Sequence, residues 1–250
     1  MTMLDMAIDP FKGKKFERRS QSTLDIDPKD DLVDRVLMDF NKDPKLGHTD
    51  NLPILTPYQI QTIFQKFIGK KMEFDSSHLM NRLMQTSFNN GYNGFILDTG
   101  DFPFDNLCQY LEGTSKRKMQ VRVLGSAGIF FGYQSKYMDT RIEGSAGINL
   151  YENVEHCSIR IGHDIGKACA HNAFNSYIEI NGSVQTPFGI MARSCTFELN
   201  SLRDDPFLES NTNLYPRSCA FLTRNRDTAQ QLEREFKLGN CRYGNSVQLI

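Results

Sequence analysis

A short pattern of alternating apolar and charged positions returns every 19 residues between about Val121 and Asn200. Its first three copies read VRVLGSAG, TRIEGSAG and IRIGHDIG, and two weaker copies, IEINGSV and FELNS, follow without a gap. The first and third positions are mostly apolar and flank a charged second position, which is the period-two pattern of a strand with one buried face. Glycine follows where a tight corner requires a residue without a Cβ.

One unit of this length cannot bury its own apolar side, whereas units stacked about 4.8 Å apart would share a continuous core. Leucine-rich repeats need a leucine and asparagine pattern that is missing, and hexapeptide solenoids repeat in multiples of six. The repeat therefore predicts a mainly β fold, a right-handed single-stranded parallel β-helix (solenoid) of 19-residue coils. A stacked amide ladder of Gln134, Asn153 and Asn172 is expected along it.

Four segments are predicted around this repeat. They are a polar, possibly mobile arm at 1–30, a helical N-terminal region and cap at 31–92, the parallel β-helix at 93–223, and a helix and strand cap at 224–250. Amphipathic helices are expected over Asp30–Phe40, from the N-cap Thr56 to about Ile68, and from a cap at Ser76 or Ser77 onward. A short helix is predicted at Asp105–Leu111 and a loop at Asp204–Pro216.

The G-S-A-G corners and I-x-I-x-G strands at this period resemble the GXGXG family over about His78–Asn200. The lead-in is also similar, with a helix, then Gly91, then a strand at Phe95–Leu97. Members close the large subunit of glutamate synthase, form a subunit of formylmethanofuran dehydrogenase, or stand alone in archaea. This chain departs from the pattern where His163 and Gln185 replace glycines. The resemblance implies a domain without catalytic residues that holds neighbouring domains or subunits together.

Composition narrows the function classes without selecting one. Lysine and arginine (29) nearly cancel aspartate and glutamate (30), so the overall charge gives no reason to expect nucleic acid or an anionic membrane. The chain has no apolar run of membrane-spanning length and no secretory signal pattern, and we expect a cytoplasmic protein. None of the six cysteines forms a C-x-x-C pair, so we expect reduced, buried thiols. Cys195 and Cys219 lie within disulfide range, which a reducing compartment disfavours.

Candidate chemistry is sparse. His156, His163 and His171 fall on three different stripes of the repeat and are not expected to converge on one metal ion. Common nucleotide, hydrolase and metalloprotease motifs are missing. We therefore expect no cofactor, no metal and no catalytic set.

The most informative surface feature is a column of charges. Arg122, Arg141 and Arg160 should stand about 4.8 Å apart on one face, and the sign should then flip to Glu179 and Glu198. Three cations this close together repel one another unless an anionic group lies beside them. That anionic group could be an aspartate or glutamate of the N-terminal arm or of a loop. It could instead belong to a phosphate-bearing ligand or to an acidic partner. Arg122, Arg141 and Arg160 are therefore the candidate binding residues.

Two hypotheses of function follow from this sequence. In the first, the chain is a GXGXG-type scaffold or coupling module that binds a protein partner or a second copy of itself, possibly in an assembly like glutamate synthase or formylmethanofuran dehydrogenase. In the second, it is a solenoid enzyme of transferase type with an inter-subunit site, where His163 or His171 acts as general base.

Overall fold

The computed structural model describes residues 31–45, 52–68, 74–185, 187–203, 216–238 and 244–250. The predicted polar arm at 1–30 and almost all of the predicted loop at Asp204–Pro216 lie outside these residues. Four helices and eight strands are present in the described part of the chain. The helices are α1 (Asp31–Lys42), α2 (Pro57–Phe67), α3 (Phe74–Asn89) and α4 (Arg226–Leu238). The strands are β1 (Gly94–Phe104), β2 (Met119–Ala127), β3 (Met138–Ile142), β4 (Ser158–Ile161), β5 (Tyr177–Val184), β6 (Thr196–Leu202), β7 (Ala220–Thr223) and β8 (Ser246–Leu249).

The strands form one all-parallel sheet of eight in chain order, β1 to β8. With few helices, this is an α/β-like arrangement whose sheet is not curled into a solenoid, and the predicted right-handed parallel β-helix is therefore wrong. A β-helix needs a continuous sheet along each side of its coils. Over the described residues, the connections between strands contribute only isolated one-residue bridges, such as Lys136↔Glu155 and Ala146↔Ile165.

The physical reason lies in the backbone of those connections. They are rich in residues with positive φ that are not glycine, among them Asn149, Asn153 and Asn172. Asparagine tolerates this left-handed conformation better than most residues, but a left-handed residue breaks the extended backbone that a second strand needs. One side of each 19-residue unit therefore becomes a strand, and the others remain turns.

The predicted register of the strands is observed. Arg122 pairs with Arg141, and Arg141 with Arg160, each 19 residues along the chain. The apolar positions on either side point into the core, where Val123, Ile142 and Ile161 are buried. The same offset joins the turns, since Asn172 Nδ2 donates to Asn153 Oδ1 at 2.7 Å. Gln134, the third member of the predicted amide ladder, donates instead to the hydroxyl of Tyr133.

Helices α2 and α3 cover the β1 end of the sheet through pairs of side-chain amides. Gln65 donates to the carbonyl of Asp98 at 2.9 Å, and Gln61 accepts from the Asp98 N–H at 3.3 Å. In the same way, Asn81 and Gln85 bind backbone groups of the turns at 106–112. These amides satisfy backbone groups that an open edge would leave to solvent.

Two local predictions are corrected by the same contacts. Asp105–Leu111 is not a helix, because Asn106, Cys108 and Tyr110 have positive φ and the Cys108 N–H donates to Asn81. Helix α3 begins at Phe74, so Ser76 and Ser77 lie inside its first turn and do not cap it. The Thr56 cap of α2 is confirmed, with both bonds of a capping box.

Helix α4 packs at the other end of the sheet. Its Phe236 ring lies 5.1 Å from that of Phe221 on β7, and Leu232 is fully buried. Strand β8 pairs with β7, and no other strand of the described chain lies on its outer side. Leu249 of β8 is exposed.

Gly132 gives the first test of the stacking. Its φ is +72°, and a Cβ there would overlap the ring of Tyr151, which the next repeat inserts into the core. Gly132→Ala should therefore combine left-handed strain of about 1–2 kcal/mol with an overpacking cost of about 1–3 kcal/mol.

Gly189→Ala is the matched control, because Gly189 also has positive φ (+62°) but its nearest contact, Phe197 Cζ, lies at an ordinary 3.4 Å. Urea unfolding should show a smaller loss for this variant, about 1–2 kcal/mol. Equal losses for the two variants would contradict the inserted Tyr151 ring.

Candidate functional site

The outer face of the sheet carries one column of side chains across all eight strands. Strand pairing aligns them in the order Ile96, Arg122, Arg141, Arg160, Glu179, Glu198, Leu222, Gln248. We call this set the outer column. The three predicted arginines therefore stand on adjacent strands of one face, followed by the two glutamates. Their proposed role in binding remains a prediction.

Two of the arginines share one carboxylate. The Nε atoms of Arg122 and Arg141 lie 2.8 and 2.9 Å from the same Glu143 Oε1. Glu143 follows directly after β3, so the acid that pairs with the first two arginines of the column lies next to the strand. The side chains of Arg122 and Arg141 remain 37% and 49% exposed, and solvent screens these pairs.

The third arginine is more deeply buried than the other two. Arg160 Nε lies 2.9 Å from Glu179 Oε2, and only 14% of the Arg160 side chain is exposed. The Tyr177 hydroxyl donates to Glu198 at 2.6 Å, and its oxygen also lies 3.3 Å from the Glu179 carboxylate. Burial and the bond to Glu198 raise the pKa of Tyr177, so the hydroxyl stays protonated and donates. Tyr177 therefore lets two neighbouring carboxylates share one face with a single arginine.

The column is consequently dipolar. Near β2 and β3, two guanidinium groups face one carboxylate, whereas near β4 to β6 one guanidinium faces two carboxylates. The neighbouring Lys118–Asp139 pair, at 3.1 Å, adds no net charge. The positive end lies towards the helices of the N-terminal region, as the sequence predicted.

A cavity of about 120 Å³ opens on the outer face at the positive end. It lies across β1, β2 and β3, with Ile96 on one side and Arg122 and Arg141 on the other. Gly94, Phe95, Gln120, Val121 and Asp139 complete the lining. Ile96 is 45% exposed, so the cavity joins an apolar surface to two cations.

The histidines do not assemble a site. His156 stacks on Tyr137 at 4.8 Å, and its Nδ1 lies 2.8 Å from Asn175 Nδ2. His163 is exposed in the turn after β4, and burial lowers the pKa of His171. Over the ranges that the structure describes, no three acids, histidines or cysteines come close enough to hold a metal ion.

The described cysteines are free and buried. Cys195 and Cys219 directly precede the neighbouring strands β6 and β7 and form no disulfide, and the hydrogen bond between the thiols raises the pKa of Cys195. Burial raises the pKa of Cys157 and of Cys169 to about 12. Because the thiolate is the nucleophile, we expect the Cys157 and Cys169 thiols to react slowly in the folded protein.

Sequence reasoning missed three members of this site. Glu143 is the acidic member of its column in the repeat, which otherwise holds Leu124, Gly162, Asn181 and Asn200. That acid, two residues after Arg141, was a usable signal. Tyr177 lies two residues before Glu179 on the same strand face, so period two also placed it there. The cavity beside Gly94 had no comparable signal, because β1 lies outside the clear repeat.

No family model matches the chain, and searches of curated proteins and of solved structures gave no match either. Among the helices of the described ranges, none is both long and apolar enough to cross a membrane.

Substitution of an arginine by alanine should cost less stability at the exposed end of the outer column than at the buried end. Arg141→Ala breaks an exposed pair and should lower the free energy of unfolding by about 0–1 kcal/mol. Arg160→Ala leaves Glu179 and Glu198 without their cation in a more buried setting, and about 1–3 kcal/mol is expected. Urea denaturation at neutral pH measures both, and a larger loss for Arg141→Ala would contradict this assignment.

Thiol labelling tests the burial of the cysteines. In native protein, iodoacetamide should leave Cys108, Cys157, Cys169, Cys195 and Cys219 unmodified, whereas in urea all five should be alkylated. Peptide mapping by mass spectrometry distinguishes the sites. Rapid native labelling of Cys157 or Cys169 would show that the core opens more readily than its packing indicates.

Proposed function

We propose that this chain is a non-catalytic scaffold or coupling module that binds a protein partner through the outer face of its sheet. The outer column is the observation that carries the proposal. It places charges of both signs in a defined order on one face, and complementary charges of this kind set the orientation and specificity of a partner.

The ion pairs of the column favour a binding role because they hold the long side chains in place. Arg122 and Arg141 are both oriented by Glu143, yet much of each side chain stays accessible. A partner would therefore meet guanidinium groups that are already ordered, which lowers the entropic cost of association. Arginine is also enriched at protein interfaces.

The resemblance to the GXGXG family suggests the setting of this proposal. A GXGXG-type module in the cytoplasm would couple subunits of an assembly like glutamate synthase or formylmethanofuran dehydrogenase. A second copy of the chain is the other protein that the face could bind. Either partner would fit the dipolar column only if the partner's surface presents acidic residues to β2 and β3 and basic residues to β5 and β6.

Co-purification from the native source tests the proposal. Tagged protein should recover a partner in a stoichiometric complex, whereas Arg141→Glu should fold and recover much less of it. The variant places a like charge beside Glu143 and reverses the positive end of the column.

Lys167→Glu is the matched control, since it makes the same charge change at an exposed turn position away from the outer column. It should recover the partner normally, as should the double variant His163→Ala, His171→Ala. Wild-type protein that remains an unaccompanied monomer with a turnover of its own would overturn the proposal. If the double histidine variant abolished that turnover, the transferase hypothesis would replace it.

A further inference from the structure

Gly94 opens the cavity at the positive end of the outer column. It begins β1 and pairs with Gln120, and its position in the strand directs a side chain to the same face as Ile96. A Cβ built on Gly94 would meet no other described atom within 4 Å. The glycine has no left-handed φ to explain it. Its effect here is the open space beside Ile96.

The size of the cavity matches one side chain. Its volume is about 120 Å³, and a cavity of about 150 Å³ holds a molecule as large as benzene. An aliphatic side chain entering it would cover Ile96, which is 45% exposed. The cavity is too small for a drug-sized ligand, since such pockets span roughly 300–1,000 Å³.

Arg122 and Arg141 form the cationic side of the cavity, since the lining carboxylate of Asp139 is paired with Lys118 at 3.1 Å. Arg122 and Arg141 share the single carboxylate of Glu143, so their guanidinium groups retain donors for a second one. Arginine binds carboxylates through parallel, charge-assisted hydrogen bonds. A long polyphosphate chain suits this face poorly, because Glu179 and Glu198 lie further along the same column.

We infer that this cavity is the anchor site for an acidic segment of the protein partner, which inserts one aliphatic side chain beside Ile96 and places a neighbouring carboxylate on Arg122 and Arg141. The inference rests on the proposed function and names the chemistry of the partner. The apolar anchor supplies affinity through burial, and the carboxylate fixes the direction of the segment.

Synthetic peptides test the anchor without knowledge of the partner. The probe is acetyl-Gly-Glu-Leu-Glu-Gly-amide, titrated against labelled protein by heteronuclear NMR. Its amide shifts should map to β1, β2 and β3. Replacing leucine by alanine, or both glutamates by glutamine, should weaken binding by about tenfold or more, since each removes a contact of at least 1.4 kcal/mol. Absence of saturable shifts with the probe at millimolar concentrations would overturn the inference.

Gly94→Val fills the cavity from inside and is expected to fold, because the added side chain enters open space and valine favours strands. It should weaken probe binding by about tenfold or more. Ala220→Val is the matched control. Ala220 occupies the same row of outward positions on β7, far along the sheet, and its variant should bind the probe normally.

Partner recovery by Gly94→Val and Ala220→Val distinguishes a failure of this inference from a failure of the proposed function. If wild-type protein and Gly94→Val recover a native partner equally well, the scaffold proposal stands and the anchor site is wrong. If the peptides bind as described but wild-type protein recovers no partner, the site stands and the scaffold proposal fails. Loss of the partner in Gly94→Val but not in Ala220→Val supports both.

Discussion

In-register parallel pairing at a 19-residue offset is the constraint on which the rest of this structure depends. It sets each side chain beside the equivalent side chain of the next repeat, so like residues form continuous rows. Rows of Val, Ile and Leu are favourable because they bury one another. A row of arginines is unfavourable because like charges repel, and Glu143 and Glu179 pair with these arginines. The charged outer face is therefore a direct product of the same register that builds the core.

The charges of the outer column are paired in different ways at its two ends. At β2 and β3 the pairs are partly exposed and two arginines share one acid, which leaves net positive charge beside an apolar cavity. At β4 to β6 the network is more buried and closed by the Tyr177 hydroxyl. The more buried ion pairs and the proposed binding site thus lie on different strands of one face, and we expect substitutions at the exposed end to lower the stability of the fold least.

The sequence revealed the strands and their register because period two and period 19 are both visible in single residues, such as the row Val123, Ile142, Ile161. It did not reveal that only one side of each unit becomes a strand. That outcome depends on left-handed residues such as Tyr151 and Ala168, whose conformation no local pattern indicates. The turns at 105–111 were mistaken for a helix for a similar reason, since Asn81 of α3 binds the Cys108 N–H. The cavity was also beyond prediction, because it depends on how β1, outside the clear repeat, lies against β2.

The amide pairs of α2 and α3 give the sheet unequal ends. Gln61, Gln65, Asn81 and Gln85 hold the backbone at the β1 end, whereas the short strand β8 is exposed at the other. Because each strand pairs only with its neighbours in the sheet order, we expect the sheet to open from one end. For the described part of the chain, we therefore expect fraying to start at β8 and to move towards β1, with backbone amides exchanging with solvent in that order. The cavity and the arginines of β2 and β3, where we propose that a partner binds, lie in the part that we expect to open last.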